Sequence, residues 1–134
     1  MDKLTEDYIK RSELRLKVLD FYLSQNGYPD AVRESQELVE LLLKAVLRHK
    51  GIEVPKTHDV SKTIIKYIEI MPPAIKDNIE KIASISKYLR KDRELSFYGE
   101  EDFIPSEEYT KEEAKRAVES ARFVFETVKK SFWF

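Results

Sequence analysis

The stretch that decides the fold is "AVRESQELVELLLKAVLRHK", residues 31–50, because its two sides differ at helical spacing. Charged residues recur every three or four positions on one side, at Arg33, Glu37, Glu40, Lys44 and Arg48. Small and apolar residues occupy the opposite side, at Ala31, Ser35, Leu38, Leu42 and Ala45, with Val39 and Val46 widening it. Residues three and four apart share a helix face, so the pattern predicts a long amphipathic helix from Pro29 to about Lys50, closed by Gly51.

The segments on both sides of this helix are also helical in period, and strand-like alternation is nowhere sustained. We predict a first helix over about residues 3–25 that ends at Asn26-Gly27, and a short third helix over about residues 59–70, capped by Asp59 or Thr57. Met71-Pro72-Pro73 breaks the chain, and a fourth helix should begin at the prolines.

The last helix has the clearest start signal, because Thr110-Lys-Glu-Glu113 fits a capping box. Alanines at positions 114, 117 and 121 follow and permit close approach of a neighbouring helix. Together these elements predict an all-α fold, an antiparallel up-and-down four-helix bundle with one additional short helix, forming a single domain over residues 1–134. The aromatic end, Ser131-Phe-Trp-Phe134, either folds back on the bundle or meets another subunit.

Composition restricts the function. The chain has no cysteine and two histidines, His49 and His58, without zinc-site spacing, so we expect no metal and no cofactor. The N-terminus is charged where a signal peptide would be apolar, and no apolar run could span a bilayer, which favours a cytoplasmic protein without membrane contact. Charged residues make up 37% of the chain, as in thermophile proteins. They nearly cancel, which argues against a broad surface that coats DNA or RNA.

Two segments together resemble a known family. The first is "AVRESQELVELLLKAVLRHKGIEVPKTHDV", with Gln36 and Glu40 on the helix and Thr57-His58-Asp59 after it. The second is "RELSFYGEEDFIPSEEYTKEEAKRAVESARFV", which holds an arginine-containing helix end, an aromatic loop and the start of the last helix. In this order they resemble the HEPN domain (higher eukaryotes and prokaryotes nucleotide-binding) over residues from about 5 to 130. The resemblance implies a helical bundle that dimerises, with a polar cleft at the dimer interface near residues 90–102.

Many HEPN proteins are metal-independent endoribonucleases, often toxins encoded beside a minimal nucleotidyltransferase, and use an Arg-x(4-6)-His motif. Here Arg90 is followed by Ser96 and Phe97 where that histidine would stand, and Arg93 reaches Tyr98 without one. Imidazole suits both proton transfers of RNA cleavage because its pKa lies near neutrality, and serine does not replace it. The resemblance therefore favours a retained binding site over retained cleavage.

The candidate ligand-binding residues are Arg90, Arg93 and Tyr98. Two arginines three apart can hold a phosphate between them, and Tyr98 can stack on a base. The alternatives are ion pairing of the arginines with nearby carboxylates at positions 92, 94 and 100, and simple packing of the tyrosine ring. His58 is a weak catalytic candidate beside Arg90 and Arg93, and its other interpretation is a loop histidine bonded to its own backbone.

Three functions remain open. The first is a dimeric protein that binds a nucleotide or RNA phosphate, in a complex with a small nucleotidyltransferase. The second is an endoribonuclease toxin with a degenerate motif. The third is an interaction module without a ligand. We lean away from an enzyme because the motif histidine is absent.

Overall fold

The computed structural model describes residues 2–56, 59–97, 101 and 103–132, and for residues 92–97 it describes the backbone alone. Throughout this part of the chain the α-helices are α1 (Lys3–Ser24), α2 (Tyr28–His49), α3 (Val60–Lys66), α4 (Pro73–Asp77), α5 (Ile79–Phe97), α6 (Pro105–Glu108) and α7 (Lys111–Phe132). A single 3-10 turn, Ile68–Ile70, lies between α3 and α4. The described residues form no strand, and the all-α prediction is confirmed. Nor does any helix among them combine the length and apolar character needed to cross a bilayer.

The four long helices α1, α2, α5 and α7 form the bundle, and α2 packs against the other three. Long helices that follow one another in the chain run in opposite directions, as α5 and α7 illustrate. Along α5 the chain passes Lys81, which lies over the ring of Phe123, and then Tyr88, whose hydroxyl is 2.9 Å from the Ser120 hydroxyl. The partner number falls on α7 as the residue number rises on α5, so these two helices are antiparallel.

The core lies where α2 meets α7. The predicted apolar face of α2 is buried, and so are all three alanines of α7, Ala114, Ala117 and Ala121. Small side chains let the two helix backbones approach closely. The charged stripe of α2 is consequently turned away from α7, and its members stay partly or fully exposed.

Helices α1 and α2 both end at their C-termini in a Schellman motif. After α1, Asn26 has a φ of 60° and Gly27 N–H donates to the Tyr22 carbonyl at 2.8 Å. After α2, Gly51 has a φ of 71° and the Ile52 N–H donates to the Leu47 carbonyl at 2.9 Å. Both ends were predicted, although asparagine rather than glycine adopts the left-handed conformation at the first.

The short elements are more numerous than the one additional helix that we predicted. The third helix ends at Lys66 and continues only as the 3-10 turn, because the prolines that follow Met71 force extended backbone. The fourth predicted helix is interrupted at Asn78, whose side-chain amide donates to the Ala74 carbonyl at 2.8 Å. Such side-chain bonds to the backbone compete with helical continuation.

The threonine half of the predicted capping box before α7 is present. The Glu113 N–H donates to the Thr110 hydroxyl at 3.1 Å. This hydrogen bond fixes the start of α7 directly after Thr110.

Candidate functional site

Arg90, the first predicted ligand-binding residue, lies on α5 and makes an ion pair across the fold. Its Nη2 donates to Oδ2 of Asp59 at 2.8 Å, although the two residues are 31 positions apart in the sequence. The contact joins the middle of α5 to the residue that precedes α3. We had considered carboxylates next to Arg90 in sequence as its partners, and the structure supplies a distant one.

Asp59 is held in place by α3 itself. It is the N-cap of this helix, and its Oδ1 accepts hydrogen bonds from the Ser61 N–H at 3.0 Å and the Ser61 hydroxyl at 2.7 Å. One carboxylate oxygen thus satisfies the helix start and the other binds Arg90. The prediction that Asp59 or Thr57 caps this helix is confirmed for Asp59.

The protonation of Asp59 follows from these contacts. Burial alone would raise the pKa of the carboxyl, but hydrogen bonds from Ser61 and Arg90 outweigh burial and hold the pKa below its ordinary value. Hydrogen bonds to the charged form of a carboxyl favour that form. Asp59 is therefore a carboxylate at neutral pH, and Arg90 has a permanent anionic partner.

The ion pair is unevenly exposed. The Asp59 side chain is 11% exposed, whereas the Arg90 side chain is 38% exposed. A guanidinium has five N–H donors in a planar fork, and the bond to Asp59 uses one of its nitrogens. Asp59 thus holds one guanidinium nitrogen of Arg90 while 38% of the arginine side chain stays exposed, so a second anion such as a phosphate can approach it.

The other predicted site residues are only partly located. The backbone of Arg93 lies on α5, three residues and so nearly one turn beyond Arg90, but its side chain is outside the described residues. Tyr98 and His58 are both outside the described residues. The grouping of Arg90, Arg93 and Tyr98 around one ligand therefore stays a prediction.

Comparison with known proteins identifies the family. The model of the HEPN domain matches residues 5–131, nearly the whole chain. The chain belongs to the HEPN domain family. It is 36% identical over 135 residues to a protein of Methanocaldococcus jannaschii named "Putative toxin MJ1304", covering 95% of this chain and 87% of the relative. It also matches the crystal structure of ST0689, described as an archaeal HEPN homologue, with a TM-score of 0.69 and 27% identity over 97% of this chain and 98% of the other.

The HEPN resemblance also drew attention to Gln36 and Glu40 on α2. Gln36 is 3% exposed, and its Oε1 has no hydrogen-bond partner in the described part of the chain. Glu40 lies on the charged stripe and is partly exposed. Since the two differ in burial, they do not form a matched pair of polar groups on one surface.

His49 is the last residue of α2. The negative end of the helix dipole at this position would favour the protonated form of its ring. Instead its ring packs edge-on against Phe132 at a centroid distance of 4.8 Å, and burial, followed by the charge of Lys50, lowers its pKa. Phe132, the last residue of α7, therefore packs on the end of α2, while Trp133 and Phe134 lie outside the described residues.

Sequence reasoning did not identify Asp59 as the partner of Arg90. The available signal was its place in Thr57-His58-Asp59, which we had assigned to a helix cap and to the family resemblance. A cap uses one carboxylate oxygen, so the second oxygen was free for another role. Which group would reach it depends on how α3 packs on α5.

Proposed function

We propose that this HEPN protein binds a phosphate of a nucleotide or of RNA through Arg90, and that Asp59 orients the guanidinium for this role. The observation that carries the proposal is the uneven ion pair, with a covered carboxylate and a partly exposed arginine at 2.8 Å. A preorganised fork loses less side-chain entropy when it binds an anion than a freely moving side chain does. The expected second arginine, Arg93, and the expected stacking residue, Tyr98, belong to the same proposal.

Thermal unfolding in the presence of AMP, ADP, ATP or a short single-stranded RNA tests the proposal. A ligand at 100 times its dissociation constant should add about 2.7 kcal/mol to the free energy of unfolding. Arg90→Ala should remove this gain. Arg122→Ala is the matched control, because Arg122 also donates Nη2 to an aspartate at 2.8 Å, but its partner Asp20 is 55% exposed. Equal loss in both variants, or no gain with any of the four compounds, would refute the proposal.

A second candidate function is favoured by the toxin name of the relative that is 36% identical. It is metal-independent cleavage of RNA, in which His58 would replace the missing histidine of the family motif. His58 directly precedes Asp59 in the sequence, and a neutral imidazole can accept the proton of a 2′-hydroxyl. RNA incubated with the protein and EDTA should then be cleaved, and both Arg90→Ala and His58→Ala should abolish cleavage. Intact RNA after prolonged incubation rejects this function.

We further propose that the protein forms a homodimer, and that a nucleotidyltransferase or another antitoxin binds to it. Leu14, Val18 and Phe21 share one side of α1 and are 63%, 40% and 60% exposed. Three large apolar side chains at helical spacing on one surface mark a protein contact. If no ligand and no cleavage are found, this surface supports the third function, an interaction module. Light scattering of wild type and of Phe21→Glu measures whether the surface joins two copies.

A further inference from the structure

Two grooves border the segment 51–56, which lies between α2 and α3. The larger has a volume of about 800 Å³ and is lined by that segment together with Asp2, Tyr8, Lys44 and Arg48. The smaller has a volume of about 340 Å³ and is lined by residues 52–56 together with Thr63, Lys66 and Tyr67. Both share residues 52–56 as a wall, and we call them the paired groove.

The paired groove is basic, although the chain as a whole carries a formal charge of -1. Its cations are Lys44, Arg48, Lys56 and Lys66, against the carboxylates of Asp2 and Glu53. One carboxylate is already engaged, since Asp2 lies 3.3 Å from Arg48 in an exposed ion pair. Exposed pairs of this kind contribute about 0 to 1 kcal/mol, so an incoming phosphate can displace Asp2 from Arg48.

Each half of the paired groove also contains a tyrosine. Tyr8 is partly exposed in the larger groove, and Tyr67 is 38% exposed in the smaller one. The Lys66 Nζ lies 5.5 Å from the centre of the Tyr67 ring, so a cation and a stacking surface are adjacent. Cations that follow a backbone and aromatic rings that stack on successive bases are the two components of single-strand binding sites.

The paired groove begins close to the Asp59–Arg90 ion pair. Thr63, in the smaller groove, lies within α3, four residues after the N-cap Asp59 and about 6 Å from it along the helix axis. Lys56, in the wall of both grooves, is three residues before Asp59, so their Cα atoms are at most about 11 Å apart. A strand with one phosphate at Arg90 can therefore continue into the groove.

We propose that the paired groove binds the sugar-phosphate backbone of single-stranded RNA that extends from Arg90, with bases stacked on Tyr67 and Tyr8. This inference rests on the proposed function of Arg90 and adds that the ligand is a polynucleotide rather than a mononucleotide. Lys44, Arg48, Lys56 and Lys66 contact phosphates, and the local excess of cations gives binding a salt dependence that the net charge of the chain would not suggest.

Fluorescence anisotropy with end-labelled single-stranded RNAs of about 4 and about 16 nucleotides tests the inference, since known single-strand sites span this range. In Lys44→Gln/Lys56→Gln, the slope of log affinity against log salt should become shallower by about 1.4 for the longer RNA, because each lost phosphate contact on a single strand accounts for about 0.7. Binding of the shorter RNA at Arg90 should be unchanged. Tyr67→Ala should weaken binding of the longer RNA by about fivefold or more.

The matched control is Lys10→Gln/Lys17→Gln, which removes the same charge. Both lysines are exposed on α1, and by helix geometry they point about 180° away from Tyr8. This variant should bind both RNAs like the wild type. If the two double variants reduce the salt slope equally, total charge explains the effect and the inference is overturned.

Arg90→Ala separates this inference from the proposed function. If Arg90→Ala loses binding of both RNAs and Lys44→Gln/Lys56→Gln binds like the wild type, the role of Arg90 is supported and RNA binding by the groove is overturned. If Lys44→Gln/Lys56→Gln loses binding of the longer RNA and Arg90→Ala binds both RNAs like the wild type, RNA binding by the groove is supported and the role of Arg90 is overturned. Thermal stabilisation by mononucleotides without binding of either RNA also overturns the groove alone.

Discussion

The energy that links Asp59 to Arg90 can be measured by a double-mutant cycle. The perturbations are Asp59→Asn, Arg90→Ala and their combination, and the readout is the free energy of unfolding from urea titrations. Asparagine keeps an oxygen for the helix cap, since it is as good an N-cap residue as aspartate, so the cycle reports mainly the charge. The cycle yields the interaction energy between the two side chains, free of their separate effects.

The expected magnitude follows from burial and charge. A hydrogen bond that involves a charged group contributes about 1.5–3 kcal/mol, and a neutral one about 0.5–1.5 kcal/mol. Removing the charge from Asp59, which is 11% exposed, should therefore cost about 1 kcal/mol of coupling with Arg90. The exposed part of the Arg90 side chain limits this value, because water solvates the guanidinium when its partner is lost.

The fold contains a matched control. Arg122 and Asp20 have the same atoms at the same 2.8 Å separation, but their side chains are 44% and 55% exposed. The cycle of Asp20→Asn and Arg122→Ala should give less than about 0.5 kcal/mol, as exposed pairs usually do. Equal coupling energies for the two pairs, or an Asp59–Arg90 coupling near zero, would refute the argument that burial of Asp59 makes its ion pair a fixed element of the site.

The pH dependence gives an independent check. The pKa of Asp59 is lowered in the folded protein, so its stabilisation is fully present above the unfolded pKa of about 3.9 and is lost as pH falls through the folded pKa. The stability difference between wild type and Asp59→Asn should therefore be constant near neutral pH and shrink below about pH 4. A difference that grows on acidification would contradict the assigned direction.

Two further predictions concern the groove wall and the end of the bundle. Gly51→Ala should lower the free energy of unfolding by about 1 kcal/mol and Gly51→Asn by less, as measured by thermal unfolding, because the φ of 71° strains an alanine while no atom lies within 4 Å of the added Cβ. His49 should titrate below 6.5 in an NMR experiment and Phe132→Ala should raise its pKa, since burial is the main cause of the shift. The stabilisation from neutral His49 is then present above the pKa of His49 in the unfolded state and lost as pH falls through its pKa in the folded state. An unchanged pKa of His49 in Phe132→Ala would count against the ring contact.

Much of the fold was predictable because its determinants are local. The period of the charged and apolar positions in residues 31–50 is visible without any tertiary information, and α2 occupies almost the predicted span. Left-handed residues at Asn26 and Gly51, and the cap at Thr110, act within a few residues of their own positions. The number of short helices was less predictable, because a single side chain such as Asn78 can interrupt a helix whose apolar period continues.

The candidate site was predictable only in part. Arg90 was identified from its sequence neighbourhood and its resemblance to a family motif, and that neighbourhood also suggested partners close in sequence. The partner in the structure comes from the start of α3, because the packing of α3 on α5 brings its N-cap to the arginine. The spacing of apolar and charged residues along the chain does not indicate which residues of separate helices pair with one another.

The sequence by itself determined that this protein is a bundle of amphipathic helices with nearly balanced charge and the features of the HEPN family, because period, caps and composition are short-range properties. Tertiary structure alone decided that Asp59 pairs with Arg90 and that Tyr8 and Lys44 share a groove, from segments far apart in the chain. The physical reason is that helix packing brings together side chains whose separation along the chain exceeds the reach of any local interaction.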